Sequence, residues 1–356
     1  MKRTQKKTSE TTTGKPKPKR KMPTTGEIKE SIRKPVEKEE VSFKEVFSTG
    51  STLLDLACSG SRVRGGGIPS GIIIEIFGPS SAGKTSILVE LSRSIQDKKG
   101  EVKFLDPEAR LDKEYCGIYG VSMPEELYHR PDTVNEMFGH IWNWKPANPD
   151  TVNLVAADSL AALSTEMEME DADKMGMKRA KDFSQNLRKS CRVIANKRLI
   201  LACTNQEREG NSGLVTPGGR GIPYYASLRI RVFPDYRNSK IKKSKKIGSK
   251  VFEKIVGIRS ICEVKKSSID EPYRTCSVPI RFGYGIDDVM ANLEFFKEAT
   301  GDNKYNIFKK SFATIQPAID HIEKEGLEVE LREMVIDTWE DIREKFRIER
   351  KQKVRF

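Results

Sequence analysis

The sequence has little of what several protein classes need. Its six cysteines, Cys58, Cys116, Cys191, Cys203, Cys262 and Cys276, are scattered and form no C-x-x-C pair. That argues against a zinc or disulfide framework and for reduced thiols in a cytosolic protein. Three isolated histidines, His129, His140 and His321, make a His-based metal site improbable. No apolar run approaches the ~18–20 residues that a membrane span requires. The basic N-terminus has no apolar stretch behind it, so no secretory signal is expected. Acidic residues are also in the minority, with 51 Asp+Glu against 64 Lys+Arg and a formal charge of +13.

The positive charge is unevenly placed. Residues 1–22 hold nine basic residues and one acid, residues 237–254 eight and one, and residues 342–356 seven and two. Taking their combined +20 from the total of +13 leaves −7 on the rest of the chain. A mildly acidic body with basic appendages is expected, and a uniformly basic particle is excluded. Residues 1–42 read as a basic arm. Its first 24 residues are too polar to offset the entropy of ordering, and a short helix at Glu27–Ile32 would end at Pro35. Lys15–Lys21 (KPKPKRK) reads as a DNA-contacting tail, with a nuclear-import signal as the alternative. Segment 237–254 has two readings, a solvated loop or a loop placed to touch nucleic-acid phosphates.

From Val41 onward strands and helices alternate. Gly71–Phe77 is a nearly continuous apolar run, the mark of a buried parallel strand. Lys84–Ile95 has helical apolar spacing at Ile87, Leu88, Leu91 and Ile95. Further strands are expected at Glu101–Leu105, Thr151–Ala157, Arg198–Thr204, Ser227–Phe233, Ser260–Val264 and Thr275–Phe282, with a long helix at Ala172–Asn196. The order implies an α/β fold whose mostly parallel sheet has an antiparallel extension. Helices at Asp288–Thr300, Ile315–Glu325 and Glu328–Phe346 would form a small C-terminal domain, residues 287–356, after a core of residues 43–286.

Gly78-Pro-Ser-Ser-Ala-Gly-Lys-Thr85 matches G-x-x-x-x-G-K-[ST] between a buried strand and an amphipathic helix. The two glycines let backbone N–H groups turn inward around phosphate, and the helix N-terminus adds partial positive charge. Gly78, Pro79, Ser80, Ser81, Ala82, Gly83, Lys84, Thr85 and Ser86 are therefore candidates for nucleotide binding. Lys84 would reach the β- and γ-phosphates and the Thr85 hydroxyl would ligate Mg²⁺. Asp158, ending the apolar strand VNLVAA, has the Walker B pattern and is the second metal candidate. Glu108, past the next strand, sits where a carboxylate can orient water toward a γ-phosphate. Acidic residues after strands are common, so position alone leaves its role open. The amide pair Asn205-Gln206 ends another strand, where it either contacts γ-phosphate or simply opens a solvent loop. That loop, Glu207–Gly221, has no apolar periodicity and is expected to be mobile.

These pieces in this order resemble the RecA-type homologous recombination ATPases, including bacteriophage strand-exchange proteins. The likeness spans about residues 45–285. It rests on Ser48-Thr-Gly-Ser51 with Leu54-Asp55, Gly67-Ile-Pro-Ser-Gly71, Glu75-Ile-Phe-Gly-Pro79, Asp106-Pro-Glu-Ala-Arg-Leu-Asp112, Tyr115, Gly120-Val121, Asp158-Ser-Leu-Ala-Ala-Leu163, Met175-Gly176, Asn205-Gln206, Pro217-Gly-Gly219 and Tyr225-Ala-Ser227.

The resemblance implies a RecA-like core using ATP and Mg²⁺ at a subunit interface. It makes Glu108 the catalytic carboxylate, Tyr115 the ring that stacks on adenine and Gln206 the γ-phosphate sensor. Lys265 and Lys266 match the basic segment that reaches the neighbouring subunit's nucleotide, although a second lysine of the family falls on Ser267. The first DNA-binding loop would lie at Glu166–Lys178, with Met175, Gly176 and Lys178. The second would lie at Glu207–Gly219, with Arg208, Gly218 and Gly219, and Arg220 beside it. This second loop lacks an aromatic residue, and Leu214 or Val215 would have to replace a wedging ring. The implied activity is a DNA-dependent ATPase forming a helical homo-oligomeric filament on single-stranded DNA and exchanging strands with duplex DNA. A loader or single-strand-binding protein would be an additional partner. The location would be the nucleoid, or host cytoplasm for a phage protein. A RecA-core hexameric helicase and a non-catalytic recombination mediator are the competing readings.

Overall fold

The computed structural model describes residues 43–165, 177–210, 213–347 and 349–350. The N-terminal arm, its short helix, most of the first candidate DNA loop and the last six residues lie outside the described residues.

The chain enters through β1 (Val46–Phe47), α1 (Thr52–Ser59) and β2 (Ile68–Pro69), with β1 and β2 antiparallel. Then follow β3 (Ile73–Gly78), α2 (Lys84–Asp97), β4 (Val102–Leu105), α3 (Lys113–Ile118), β5 (Tyr128–His129), α4 (Val134–Asn143), β6 (Asn153–Ala157), α5 (Met177–Asn196) and β7 (Leu199–Gln206). Two short strands, β8 (Arg208–Gly210) and β9 (Gly213–Val215), precede α6 (Gly221–Tyr225) and β10 (Leu228–Pro234). The sheet is completed by β11 (Lys240–Ile247), β12 (Lys250–Ser267), β13 (Thr275–Arg281) and β14 (Gly285–Ile286). After α7 (Asp288–Thr300) come β15 (Tyr305–Ile307), β16 (Lys310–Phe312), α8 (Ile315–Glu325) and α9 (Glu328–Lys345).

The main sheet has the order β14-β13-β12-β10-β3-β7-β6-β4-β5, with β11 paired to β12. From β10 to β5 every pairing is parallel, and β12, β13 and β14 extend the sheet antiparallel. The architecture is the α/β fold with a mostly parallel sheet expected from the sequence. Alternation along the strands splits the core in two. Ile74, Ile76, Leu154 and Ile200 face one layer with Ile87, Leu88 and Leu91 of α2. Ile73, Val155, Leu199 and Leu201 face the other with Phe138 of α4 and Phe183 and Leu187 of α5. Because the strands from β3 to β4 are parallel, their carboxyl ends share one edge, where α/β sheets bind ligands.

The C-terminal helices pack around a third core. It holds Met290 and Leu293 of α7, Ile319 and Ile322 of α8, Leu331 and Val335 of α9, and Leu53 and Leu56 of α1. Helix α1 therefore divides its faces, since Leu54 and Cys58 belong to the main core. Asp287 caps α7, and Gly301 and Gly326 end α7 and α8 in the left-handed conformation.

Two segments differ from the sequence reading. Residues 237–254 are not an irregular loop: most of them form a β-hairpin, with β11 antiparallel to the first part of β12 and Gly248 (φ 61°) in the turn. Lysines on both faces of β11 mask the period-two apolar signal that marks a strand. The stretch Glu207–Gly221 likewise contains the β8–β9 hairpin, too short to show a period.

One buried carboxylate makes stability pH-dependent. Burial pushes the Glu90 carboxyl on α2 from 4.5 up to about 7, although the Ile286 amide donates to it at 3.3 Å. The folded state then holds a proton that the unfolded chain has released, so stability falls as pH rises between about 4.5 and 7. Glu90→Gln should make this segment of the profile less steep, leaving the share of Asp55, which burial also pushes up to about 7, and raise stability at pH 8 by up to about 3 kcal/mol. Urea unfolding at pH 5 and pH 8 measures the difference.

Candidate nucleotide site

The P-loop joins the carboxyl end of β3 to the amino end of α2. Its backbone approaches its neighbours too closely for side chains at two positions. A Cβ on Gly78 would lie 1.9 Å from the Val232 carbonyl, and one on Gly83, at φ 88°, would lie 2.3 Å from the Ile280 side chain. The Lys84 ammonium is folded back onto the loop, donating to the carbonyls of Gly78 at 3.1 Å and Pro79 at 2.6 Å. Burial lowers its pKa.

Asp158, at the end of β6, accepts from the Thr85 hydroxyl at 2.7 Å and also from the Thr204 hydroxyl of β7. Burial raises its pKa, and these two hydrogen bonds oppose the shift. Nearby Asp106 is fully buried, and its Oδ1 has no hydrogen-bond partner among the described residues. The Thr85 hydroxyl and the Asp158 carboxylate, both lining the cleft, are the hard-oxygen donors that a hydrated Mg²⁺ takes. The inward-turned loop at a helix N-terminus fits the phosphates.

A cleft of about 560 Å³ opens here. It gathers Ser80 through Ser86, Glu108, Tyr115, Asp158 and Gln206, residues more than a hundred positions apart in the chain. Glu108 forms an ion pair with Arg110 at 2.9 Å through one oxygen and accepts from the Gln206 amide at 3.4 Å on the other. Tyr115 sits on α3, capped by Asp112, with its hydroxyl 3.1 Å from both Ser86 and Tyr119. Ile258, Ile280 and Phe282 also line the cleft. Nothing in the sequence marked these three as lining residues, because they arrive from segments placed late in the chain. Arg110 and Thr204 were also missed, although both lie beside residues that were singled out.

The root of the second candidate DNA loop meets the P-loop directly. Gly78 and Gln206 are parallel register partners, and the Glu207 amide donates to the Gly78 carbonyl at 3.2 Å. Glu207 is clamped by both arms of Arg231, at 2.8 and 2.9 Å. Asn205 is buried, donating to Glu75 at 2.9 Å and to the Pro217 carbonyl at 3.1 Å, and Arg229 pairs with Glu75 at 2.5 Å. Both ends of the loop are thus held by the strand ends around the P-loop.

The other candidates lie elsewhere. Gly218 and Gly219 have positive φ, and a Cβ on Gly218 would meet Ile222 of α6 at 2.5 Å while one on Gly219 would meet Ala180 of α5 at 2.6 Å. Arg208 is exposed on β8, and exposed Arg220 precedes α6. Lys178 lies in the first turn of α5, while Met175 and Gly176 fall outside the described residues. Lys265 pairs with Glu263 at 2.7 Å, and Lys266 donates to the carbonyls of Pro223 and Tyr224. Neither lysine lines the cleft of its own chain, because Lys266 sits opposite Arg229, at the far end of β10 from the P-loop.

The fold and the cleft define a P-loop nucleotide-binding protein of the mixed α/β class. The RecA N-terminal domain family matches residues 26–287. The chain is 34% identical over 255 residues to Protein RecA of Thermus thermophilus, covering 69% of each chain. It is 33% identical over 253 residues to Protein RecA of Ruminococcus albus, covering 69% of this chain and 59% of that protein. With Protein RecA of Delftia acidovorans it shares 29% identity over 315 residues, 85% of this chain and 81% of that one. The chain belongs to the RecA family. Among the described residues, no helix is long and apolar enough to cross a membrane.

Proposed function

We propose that this protein is a DNA-dependent ATPase that assembles as a filament on single-stranded DNA and pairs it with homologous duplex. One observation carries the reading: the P-loop and the root of the Glu207–Gly221 loop meet at the Gly78 carbonyl, which accepts from both Lys84 and the Glu207 amide. The state of the nucleotide pocket and the conformation of a polar, Gly-rich loop are therefore mechanically linked.

In this reading Lys84 would exchange its two loop carbonyls for phosphate oxygens, and Thr85 and Asp158 would hold Mg²⁺. The metal supplies charge neutralisation at the phosphates. Glu108 orients the attacking water, and Gln206 divides its amide between Glu108 and the terminal phosphate. A change at Gln206 passes to Glu207 along the backbone and to the loop that carries Arg208 and Arg220. A tenfold change in DNA affinity requires only about 1.4 kcal/mol of such coupling. Lys265 and Lys266, remote from their own cleft, are assigned to the neighbouring subunit's nucleotide.

The decisive experiment is a D-loop assay with homologous and heterologous duplex, with electron microscopy in the presence of an ATP analogue. Homology-dependent joint molecules and helical filaments are expected. Closed rings with strand-unwinding activity would replace the recombinase by a helicase.

A further inference from the structure

We infer that the open edge of β13 is a peptide-docking site, which takes an extended basic and aliphatic segment of a partner protein as an added strand. The inference is independent of the nucleotide reading, because no residue that lines this site also lines the nucleotide cleft.

Strand β13 is nearly the last of the sheet. Its outer neighbour β14 pairs only with Ile280 and Arg281, and the Asp287 amide reaches back to the Pro279 carbonyl at 2.9 Å. From Thr275 to Val278 the outer side has no strand. Residues along an antiparallel pair alternate between those bonded to the partner strand and those turned away from it. The Phe282 amide donates to the Val256 carbonyl and the Val264 amide to the Arg274 carbonyl, both at 2.9 Å, so the even-numbered residues of β13 bond β12. The N–H and C=O groups of Thr275 and Ser277 therefore point outward. Among the described residues these four groups have no hydrogen-bond partner.

A groove of about 1260 Å³ runs along this edge. Thr275 and Ser277 line it with Ile261 of β12, Phe295 of α7, Trp339 of α9 and Phe346 just after α9. Exposed sheet edges are normally blunted by lysine, proline or a bulge, and residues 275–278 carry none of these. Unpaired backbone groups beside a groove are complementary to another backbone in extended conformation. Ser277 and Arg259 add unmet polar capacity, since the Ser277 hydroxyl and the Nε of Arg259, a residue 7% exposed, have no partner among the described residues. The aromatic lining favours aliphatic side chains in the docked strand. Asp235 and Glu298 also line the groove and form no ion pair among the described residues, against Arg343, which lies 5.6 Å from the Trp339 ring. The uncompensated charge is acidic and selects a basic segment. With α7 and α9 also lining it, the groove admits one chain rather than the sheet of a second copy.

The test uses the full-length protein and fluorescence anisotropy of a labelled hexapeptide of alternating valine and lysine, with a valine–glutamate hexapeptide as its acidic counterpart. Ser277→Pro removes the outward N–H and leaves the ladder to β12 intact, as proline does on an edge strand. Ser277→Ala keeps that N–H, and Glu298→Lys reverses one exposed charge. Ser277→Ala should bind the basic peptide within about threefold of the unaltered protein, and Ser277→Pro at least about tenfold more weakly. Glu298→Lys should bind it about threefold more weakly. Thermal unfolding and ATP hydrolysis should match the unaltered protein in all three. Should Ser277→Pro fail to fold, Glu298→Lys and the acidic peptide carry the test. No binding of the basic peptide, equal binding of the acidic one, or equal affinities of the proline and alanine variants overturns the site. Displacement of the peptide by a single-stranded oligonucleotide overturns it as well. Self-association that Ser277→Pro abolishes assigns the edge to a second copy, and about tenfold tighter peptide binding after removal of residues 347–356 assigns it to the chain's own tail. Either result overturns the partner peptide.

Discussion

Glu108→Gln is expected to lower DNA-stimulated ATP hydrolysis by on the order of 10²–10⁴-fold, the usual range for a positioned acid–base group. The replacement keeps the size of the side chain and its acceptor oxygen facing Gln206. It removes the negative charge that holds Arg110, which is two-thirds exposed and can turn to water. Fold and nucleotide affinity should therefore persist. ATP should stay bound, and the protein should remain on single-stranded DNA longer than the unaltered chain because its release step is slowed. Steady-state hydrolysis with and without DNA, together with binding of a fluorescent ATP analogue, separates the two effects. Unchanged stimulated hydrolysis would remove Glu108 from the catalytic role and leave Gln206 without its partner in the cleft.

Lys84→Ala acts at the earlier step. The ammonium is the buried cation of the loop, and its removal takes away the charge that faces the phosphates. Losses of on the order of 10²–10³-fold in hydrolysis are expected, the scale for deleting one preorganised electrostatic contact. In contrast to Glu108→Gln, nucleotide affinity should fall as well, and ATP should no longer tighten DNA binding. The carbonyls of Gly78 and Pro79 lose a donor but lie at a loop open to the cleft, so water can satisfy them. Thermal unfolding without nucleotide should thus change little, while the stabilisation that ATP gives the unaltered protein should disappear.

The two variants address opposite ends of one pathway. Lys84 and Glu207 share the Gly78 carbonyl, Gln206 shares Glu108, and Arg231 clamps Glu207 to the strand beside the P-loop. In the proposed function, loss of Lys84 should remove the input to the loop, whereas loss of the Glu108 charge should leave the input and block its discharge.

Much of this site was legible as local chemistry. The apolar run of β3, the glycine spacing of Gly78–Thr85 and the periodicity of α2 are short-range patterns, and they place the phosphate cradle without tertiary information. The helices at 288–300 and 315–325 have the bounds expected of them, because amphipathic spacing and a terminal glycine or aspartate are local signals too. The free part of the hairpin, residues 242–255, was illegible for the opposite reason: it has no buried face, so no hydrophobic period records it.

The sequence by itself determined that a strand, a glycine-rich loop and a helix would bind nucleotide, and that positive charge would gather at two ends and one insertion. Only the tertiary structure decided what those pieces touch. The parallel sheet order brings Asp158, Gln206 and the segment after β4 to the edge that holds the P-loop. The late strands and the turn after them add Ile258, Ile280 and Phe282 to the lining of the cleft. Cross-strand register sorts the insertion's lysines into a partly neutralised face and an unneutralised one. The physical reason is common to all three. Backbone hydrogen bonding between distant strands sets the register, and a one-residue shift would turn every side chain to the other face.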